Sequence, residues 1–326
     1  MYLAPDGDEL EIATAAADFL SSAMPIDRLH SAGSADMDKA LRKQVGEMGW
    51  FALALPEGEG GSGLSAVEHA LFFREVGRHC GALDVLTLCL AAMACDDPVL
   101  RAEIVAGDVS VALAVGDEGA TRLLGSADAA FALSVGPERA YLVPIAGIEV
   151  DARPSLDPSL SMRMAREIAT NQKLEDASRN GQIWQMGKLG TAAMLVGISE
   201  AALAQIVEYA KVRETFGRKI GSWQAVRHPC ADMAVRVEAA RSQLWFAAAA
   251  IKEGRSDAEV HLNAAKYLAN QAAVANADSN IQLHGGIGVT DEHHAHLFLK
   301  HALVLTKLFG ARRSLLRQLL HAGVED

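Results

Sequence analysis

From Ala258 to Leu283 the chain carries no proline and no glycine, and the run stops at the pair Gly285-Gly286. This leaves the fold few options. Nothing in the run breaks an α-helix, alanine dominates it, and a glycine pair marks a helix C-terminus. A helix of that length is held by burying an apolar face more than by propensity. Similar patterns lie on either side. The spacing predicts four long helices over about 188–212, 222–253, 256–283 and 294–322, with Gly254 between the second and third. Hydrophobic residues make up 50% of the chain but aromatic residues only 5%. Alanine and leucine therefore supply the apolar content, which favours close-packed helices over sheets.

Residues 1–106 also read as helical. Ile12, Ala16, Phe19, Leu20 and Ala23 mark one face of a helix over 8–24, which Pro25 ends. Met37, Leu41, Val45 and Met48 mark a second over 35–50. Leu64–Arg78 and the apolar Gly81–Cys95 make two more. Residues 107–186 change character. Val109–Val115, Ala129–Val135 and Ala140–Val143 are short apolar runs split by Gly, Asp and Pro, which predicts a small β region. That region is expected to continue through Gly147–Val150 to Ile183-Trp184. The fold class is thus mainly α: an N-terminal helical domain (1–106), a short middle β domain (107–186) and a C-terminal four-helix bundle (187–326).

Several function classes find no support. A net charge of −11 argues against a nucleic-acid partner, which wants a basic face. Cys80, Cys89, Cys95 and Cys230 lack metal spacing, and the first three lie in apolar stretches, as buried thiols do in a reducing cytoplasm. The acidic start, Met1–Leu10, does not read as a signal peptide, and no uninterrupted apolar run is long enough to span a membrane. Gly58–Gly63 matches G-x-G-x-x-G, but Glu57 and Glu59 put negative charge where a pyrophosphate would lie and no βαβ units follow, so a tight loop is expected. His284, His293, His294, His296 and His301 cluster without a cysteine, and a solvated helix start is expected rather than a metal site. There is no G-x-S-x-G elbow, Walker loop or H-E-x-x-H, so hydrolysis and phosphoryl transfer have no motif.

Two stretches carry chemistry. Gln282–Gly288 ends one long helix and Arg213-Glu214-Thr215-Phe216-Gly217 ends another. Paired glycines let a backbone approach another molecule closely, and Gln and Arg can hold a phosphate or a heteroaromatic ring. Read in order, the chain resembles the acyl-CoA dehydrogenase family. Met48–Glu57 with Gly60–Ser65 is similar to that family's "G-W…P-E…G-G-x-G" segment, and Glu75-Val76-Gly77-Arg78 to its "E-x-G-R". Tyr209–Ile220 followed by Gln224 resembles "Y…R-x-x-F-G-x-x-I…Q", and Gln282–Gly288 resembles "Q-x-x-G-G-x-G".

The resemblance implies oxidation of an acyl-CoA thioester at Cα–Cβ, in which a Glu removes the α proton and flavin N5 accepts the β hydride. It also implies FAD as cofactor, with contacts from Arg213, Phe216, Gln224, Gln282, Gly285 and Gly286, and electron-transfer flavoprotein as acceptor. The departures are specific. Counting forward from Gly285-Gly286, the family's catalytic Glu falls on Phe309 and its following Thr on Ala311. Counting back from Arg213, a second family location falls near Gly187, beside Lys188. Neither place offers a carboxylate, so no catalytic residue is assigned. The family's "T-E-P" and "W-I-T" strands, which hold the flavin ring, have no counterpart between Asp108 and Gly187. The phosphate and adenine half is kept while the ring half is lost. This resembles the short subunit of heteromeric α2β2 acyl-CoA dehydrogenases of steroid side-chain degradation, whose partner is a full-length dehydrogenase and whose substrate is a steroid-CoA. A self-sufficient dehydrogenase with a relocated base, or a helical scaffold without FAD, remain the alternatives.

Overall fold

The computed structural model describes residues 5–30, 37–117, 120–165 and 177–322. The helices are α1 (Gly7–Ala23), α2 (Lys39–Glu47), α3 (Ala66–Arg78), α4 (Leu83–Ala94) and α5 (Pro98–Val105). Strands β1 (Val111–Asp117), β2 (Ala120–Leu124), β3 (Phe131–Gly136), β4 (Arg139–Pro144), β5 (Val150–Arg153) and β6 (Met162–Ala165) follow. Then come α6 (Ala177–Val212), the short strands β7 (Glu214–Thr215) and β8 (Arg218–Lys219), α7 (Gln224–Lys252), α8 (Ala258–His284), α9 (Ala295–Leu305) and α10 (Arg312–His321). The fold is mainly α, with a six-stranded sheet and a two-stranded hairpin among the described residues.

The chain forms two compact units. One comprises residues 1–30, 70–80 and 188–326, the other 31–69 and 81–187. In the second, α4 is predominantly apolar, and all its residues but Met93 are buried. The sheet runs β4-β3-β1-β2-β6-β5, antiparallel except for the parallel pair β1–β3. Ala112, Leu123, Ala132 and Ala165 form part of its core. Buried Asp84 of α4 accepts from the Ser126 N–H at 2.7 Å and from its hydroxyl at 2.5 Å, tying the turn after β2 to that helix.

The first unit is the helical bundle. Alanine lets its helices approach closely: Ala192, Ala193, Ala247, Ala248, Ala250, Ala269 and Ala273 are fully buried. α3 and α6 come into backbone contact. A Cβ built on Gly77 would stand 2.0 Å from the Met194 carbonyl oxygen, and one on Gly197 2.0 Å from that of Arg74. α1 begins with a capping box: the Asp6 side chain accepts from the Glu9 N–H at 3.2 Å, and Glu9 accepts from the Asp6 N–H at 2.9 Å.

The structure corrects three expectations and adds two elements. Ile183-Trp184 lies inside α6, because the apolar run that follows continues its helical period. β2 and α5 had no prediction; α5 starts at Asp97-Pro98, where the Asp97 side chain accepts from Val99 N–H at 2.8 Å. The helix expected over 35–50 is described from Lys39 to Glu47, with residues 35 and 36 outside the described segments. The fourth bundle helix breaks into α9 and α10, because Phe309 (φ 51°) and Gly310 (φ 136°) leave the helical region. Within α6, Gly181–Val212 is long and apolar enough to cross a membrane, yet 72% of its most apolar window is buried inside the protein, as in a core helix.

Candidate functional site

α6 ends at Val212, and the next eleven residues build a tight hairpin. β7 and β8 pair antiparallel through Glu214–Lys219 and Thr215–Arg218. The turn residues Phe216 and Gly217 both take positive φ, 51° and 77°, as a two-residue hairpin of this twist requires. Glycine does so freely. Phe216 does so at a cost in strain and stands 93% exposed. The hairpin is closed by the Arg213 carbonyl, which accepts from the Ile220 N–H at 2.8 Å, and by the Lys219–Glu214 ion pair at 2.7 Å. Lys219 holds the Glu214 carboxyl below its usual range, so it stays ionised and neutralises that lysine. Arg213 is exposed, and its guanidinium makes no ion pair or hydrogen bond among the described residues. Gln224 is the first residue of α7, also exposed.

The glycine turn lies at the same end of the unit. Tyr209, in the last turn of α6, packs its ring 4.4 Å from His284, the last residue of α8, and Asn280 donates to Gln205 at 2.8 Å. The ends of α6 and α8 are therefore side by side. Gly285 takes φ 67°, ψ −147°, a conformation for glycine alone. Nothing lies within 4 Å of a Cβ built on Gly285 or Gly286, so both present open backbone. Gln282, Gly285 and Gly286 are exposed.

Imidazoles back this turn. His284 Nδ1 donates to the Asn280 carbonyl at 2.7 Å, which leaves its Nε2 buried and without a partner among the described residues. Its ring lies 4.3 Å from that of His293, and His294 lies 4.9 Å from His30. Burial lowers the pKa of His284. Burial and then its imidazole neighbours push His293 down to about 4. These two rings are neutral at neutral pH, so the positive charge here comes from Arg213 and Arg218. No three His, Cys, Asp or Glu side chains among the described residues are placed to hold a metal ion.

The residues at the two counted base positions are apolar or buried. Phe309 is 6% exposed with left-handed backbone. Gly187 lies within α6, and Lys188 beside it is buried and bonded to Glu259 at 2.5 Å and Asn263 at 2.7 Å. The structure thus brings all six candidate residues to one end of the bundle unit, every one exposed, with Phe309 and Gly187 away from solvent or inside a helix. Sequence reasoning missed Trp223 and Arg218, which stack at 3.4 Å. An aromatic just before Gln224 and an arginine two residues past Phe216 were the available signal.

Comparison with known proteins matches residues 6–102 to "Acyl-CoA dehydrogenase, N-terminal domain" and residues 182–323 to "Acyl-CoA dehydrogenase, C-terminal domain". Acyl-CoA dehydrogenase IpdE2 of Mycobacterium tuberculosis is 31% identical over 84% of this chain and 83% of its own length. Acyl-CoA dehydrogenase FadE34 of the same organism is 32% identical over 90% of this chain, which spans only 44% of FadE34. Among solved structures, the ChsE4-ChsE5 complex of M. tuberculosis superposes with a TM-score of 0.84 at 21% identity over 100% of both chains. The Tcur3481-Tcur3483 steroid ACAD does so at 0.78 and 23% over 96% of both.

Proposed function

Because the chain belongs to the acyl-CoA dehydrogenase family, we propose that it is the non-catalytic subunit of a heteromeric, FAD-dependent acyl-CoA dehydrogenase. Its role is to complete a cofactor site whose flavin-ring half belongs to a full-length partner. One observation carries this reading. Arg213, Phe216, Gln224, Gln282, Gly285 and Gly286 all stand exposed at one end of the unit, with the Arg213 cation unpaired among the described residues, while both counted base positions lack a carboxylate. The residues present fit the phosphate and adenine end of FAD. An unpaired guanidinium suits a pyrophosphate, and open glycine backbone admits close approach.

Bound FAD supplies hydride acceptance from the acyl chain. This chain contributes binding: Arg213 neutralises phosphate charge, Gly285 and Gly286 let the backbone come close, and Phe216 lies beside the adenine. Gln282 and Gln224 donate and accept at its polar edges. The α-proton falls to a carboxylate of the partner, since Phe309 and Gly187 cannot take it. A steroid-CoA as acyl-CoA substrate, an α2β2 assembly and electron-transfer flavoprotein as acceptor complete the proposal. The solved fold relative described as a steroid ACAD and the two-protein ChsE4-ChsE5 complex support it.

The test is flavin stoichiometry on the chain alone and after co-expression with a full-length acyl-CoA dehydrogenase encoded beside it. Flavin is expected only in the complex, at one FAD per heterodimer, and Arg213→Glu strips it. One FAD per protomer in the isolated chain, with dehydrogenation unaided, sinks the proposal.

A further inference from the structure

The two ends of the chain are segregated by charge. From Met1 to Asp27 the acids are Asp6, Asp8, Glu9, Glu11, Asp18 and Asp27, with no lysine or arginine among them. From His293 to Val324 the cations are Lys300, Lys307, Arg312, Arg313 and Arg317, with no acid. Both stretches belong to the helical bundle unit. A helix face that meets only water usually interleaves the two signs, as α7 does where Glu238 takes Arg241.

Part of the acidic charge is used within the chain. Asp6 caps α1, Glu9 pairs with Lys252 at 2.6 Å, and Asp27 is bonded to His294 at 2.9 Å. Asp8, Glu11 and Asp18 stay exposed on α1, and their carboxylates have no partner among the described residues. On α10, Leu315 is fully buried and faces inward. Arg313, Arg317 and Leu320 follow one another at i, i+4 and i+7 on the opposite, exposed face. None of the five cations makes an ion pair or side-chain hydrogen bond among the described residues. Each helix also leaves a leucine in water, Leu10 at 49% exposure and Leu320 at 84%. One unit thus carries an acidic face and a basic face that match each other in charge and in apolar content, and they form no pair inside the chain.

We propose that these faces form an interface between two copies of this chain, with α10 of each copy lying on α1 of the other. A two-fold axis makes both contacts at once, because an isologous interface sets residue i on j and j on i. Glu11 and Asp18 take Arg313 and Arg317 across the contact, and Leu10 and Leu320 leave water. The contact joins the two copies of this chain in the α2β2 assembly proposed above, and it rests on that reading for its place there.

The experiment is sedimentation velocity on the full chain at tens of micromolar. The wild type sediments as a dimer at about 0.1 M salt. Raising salt to about 1 M cuts the screening length from roughly 10 to 3 Å and releases monomer. Arg313→Glu with Arg317→Glu weakens the dimer by roughly tenfold to a hundredfold, since the two-fold axis doubles each lost ion pair. Glu11→Lys with Asp18→Lys does the same. Mixed one to one, the two variants pair with each other, which also shows that both are folded. A mixture that stays monomeric overturns the pairing of α1 with α10, even where each reversal alone breaks the dimer. So does a dimer that survives both reversals, or a wild type that stays monomeric at low salt. A monomeric wild type that sediments with phosphatidylserine vesicles assigns the basic face to a lipid surface, which likewise overturns the proposal. No flavin enters the measurement, so failure here leaves the shared-cofactor reading standing, and failure of the flavin stoichiometry leaves this contact standing as a dimer of the chain alone.

Discussion

Lys266 sits in the middle of α8 with no exposed surface, and its state sets a measurable slope of stability against pH. Its Nζ donates to Asn270 Oδ1 at 2.9 Å and to the Leu305 carbonyl at 3.0 Å. Two acceptors match the two N–H groups of a neutral amine and leave an ammonium one donor short. Burial lowers its pKa well below the usual lysine range, and the charge on Lys188 adds to the shift. In the unfolded chain the same amine titrates near 10.4. Between the lowered folded value and that figure the unfolded state binds the extra proton, so stability rises with pH. The rise is about 1.4 kcal/mol for each pH unit inside that window. Lys266→Met keeps the length of the side chain and removes the titration. It also strips donors from two buried acceptors, at about 1–3 kcal/mol each. Urea unfolding of both proteins at three pH values between neutrality and 10 reads the difference directly. The wild type gains on the variant with each step upward, by about 1.4 kcal/mol per unit where the window is fully open. A difference that stays flat with pH means the lysine is charged in the folded protein. That result would refute the neutral-amine argument.

Other outcomes follow from the same geometry. Gly77→Ala drives a Cβ into the Met194 carbonyl at 2.0 Å, and the forced separation of α3 and α6 costs about 3 kcal/mol or more by thermal or urea unfolding. Gly181→Ala, on an open stretch of α6, leaves stability unchanged or raises it by up to about 1 kcal/mol, so equal effects of the two would undo the close-packing account. His293 is pushed down to about 4 in the folded chain, so the unfolded state binds the proton first and stability falls as pH drops from about 6.5 toward 4. His293→Gln flattens that acid limb in a denaturation series, and an unchanged limb counts against the imidazole packing.

The helices were legible because one physical signal defines them: apolar period with breakers only at the ends. Gly285-Gly286 stops α8 where the run of alanine ends, and Asp6 with Glu9 starts α1. The sheet was half legible. β1, β3 and β4 carry buried apolar residues, whereas β2 includes Thr121 and Arg122 between its apolar positions and gives a weaker pattern. The break between α9 and α10 was not legible, since Phe309 carries no glycine signal and is held at φ 51° by its surroundings. Gly310 follows it, and the Asn270 side chain donates to the Gly310 carbonyl at 3.1 Å, next to the Lys266 bond to Leu305.

The same contrast runs through the candidate site. Arg213 and Gln282 could be found because each follows or closes a helix whose end the sequence marks. Their neighbourhood could not, because it depends on Tyr209 meeting His284 across two helices distant in sequence. The stacked Arg218 and Trp223 lie closer in sequence, yet the contact needs the positive φ of both Phe216 and Gly217 to turn the strand back. A glycine at the second turn position is an ordinary signal. A phenylalanine at the first is strained unless its ring gains something, and in the free chain that ring is 93% exposed. The strain and the exposure together are costs with no return inside this chain. They make sense if the ring is covered in the assembled protein, which is why a partner's nucleotide, rather than this chain's own core, is the place to look for what Phe216 packs against.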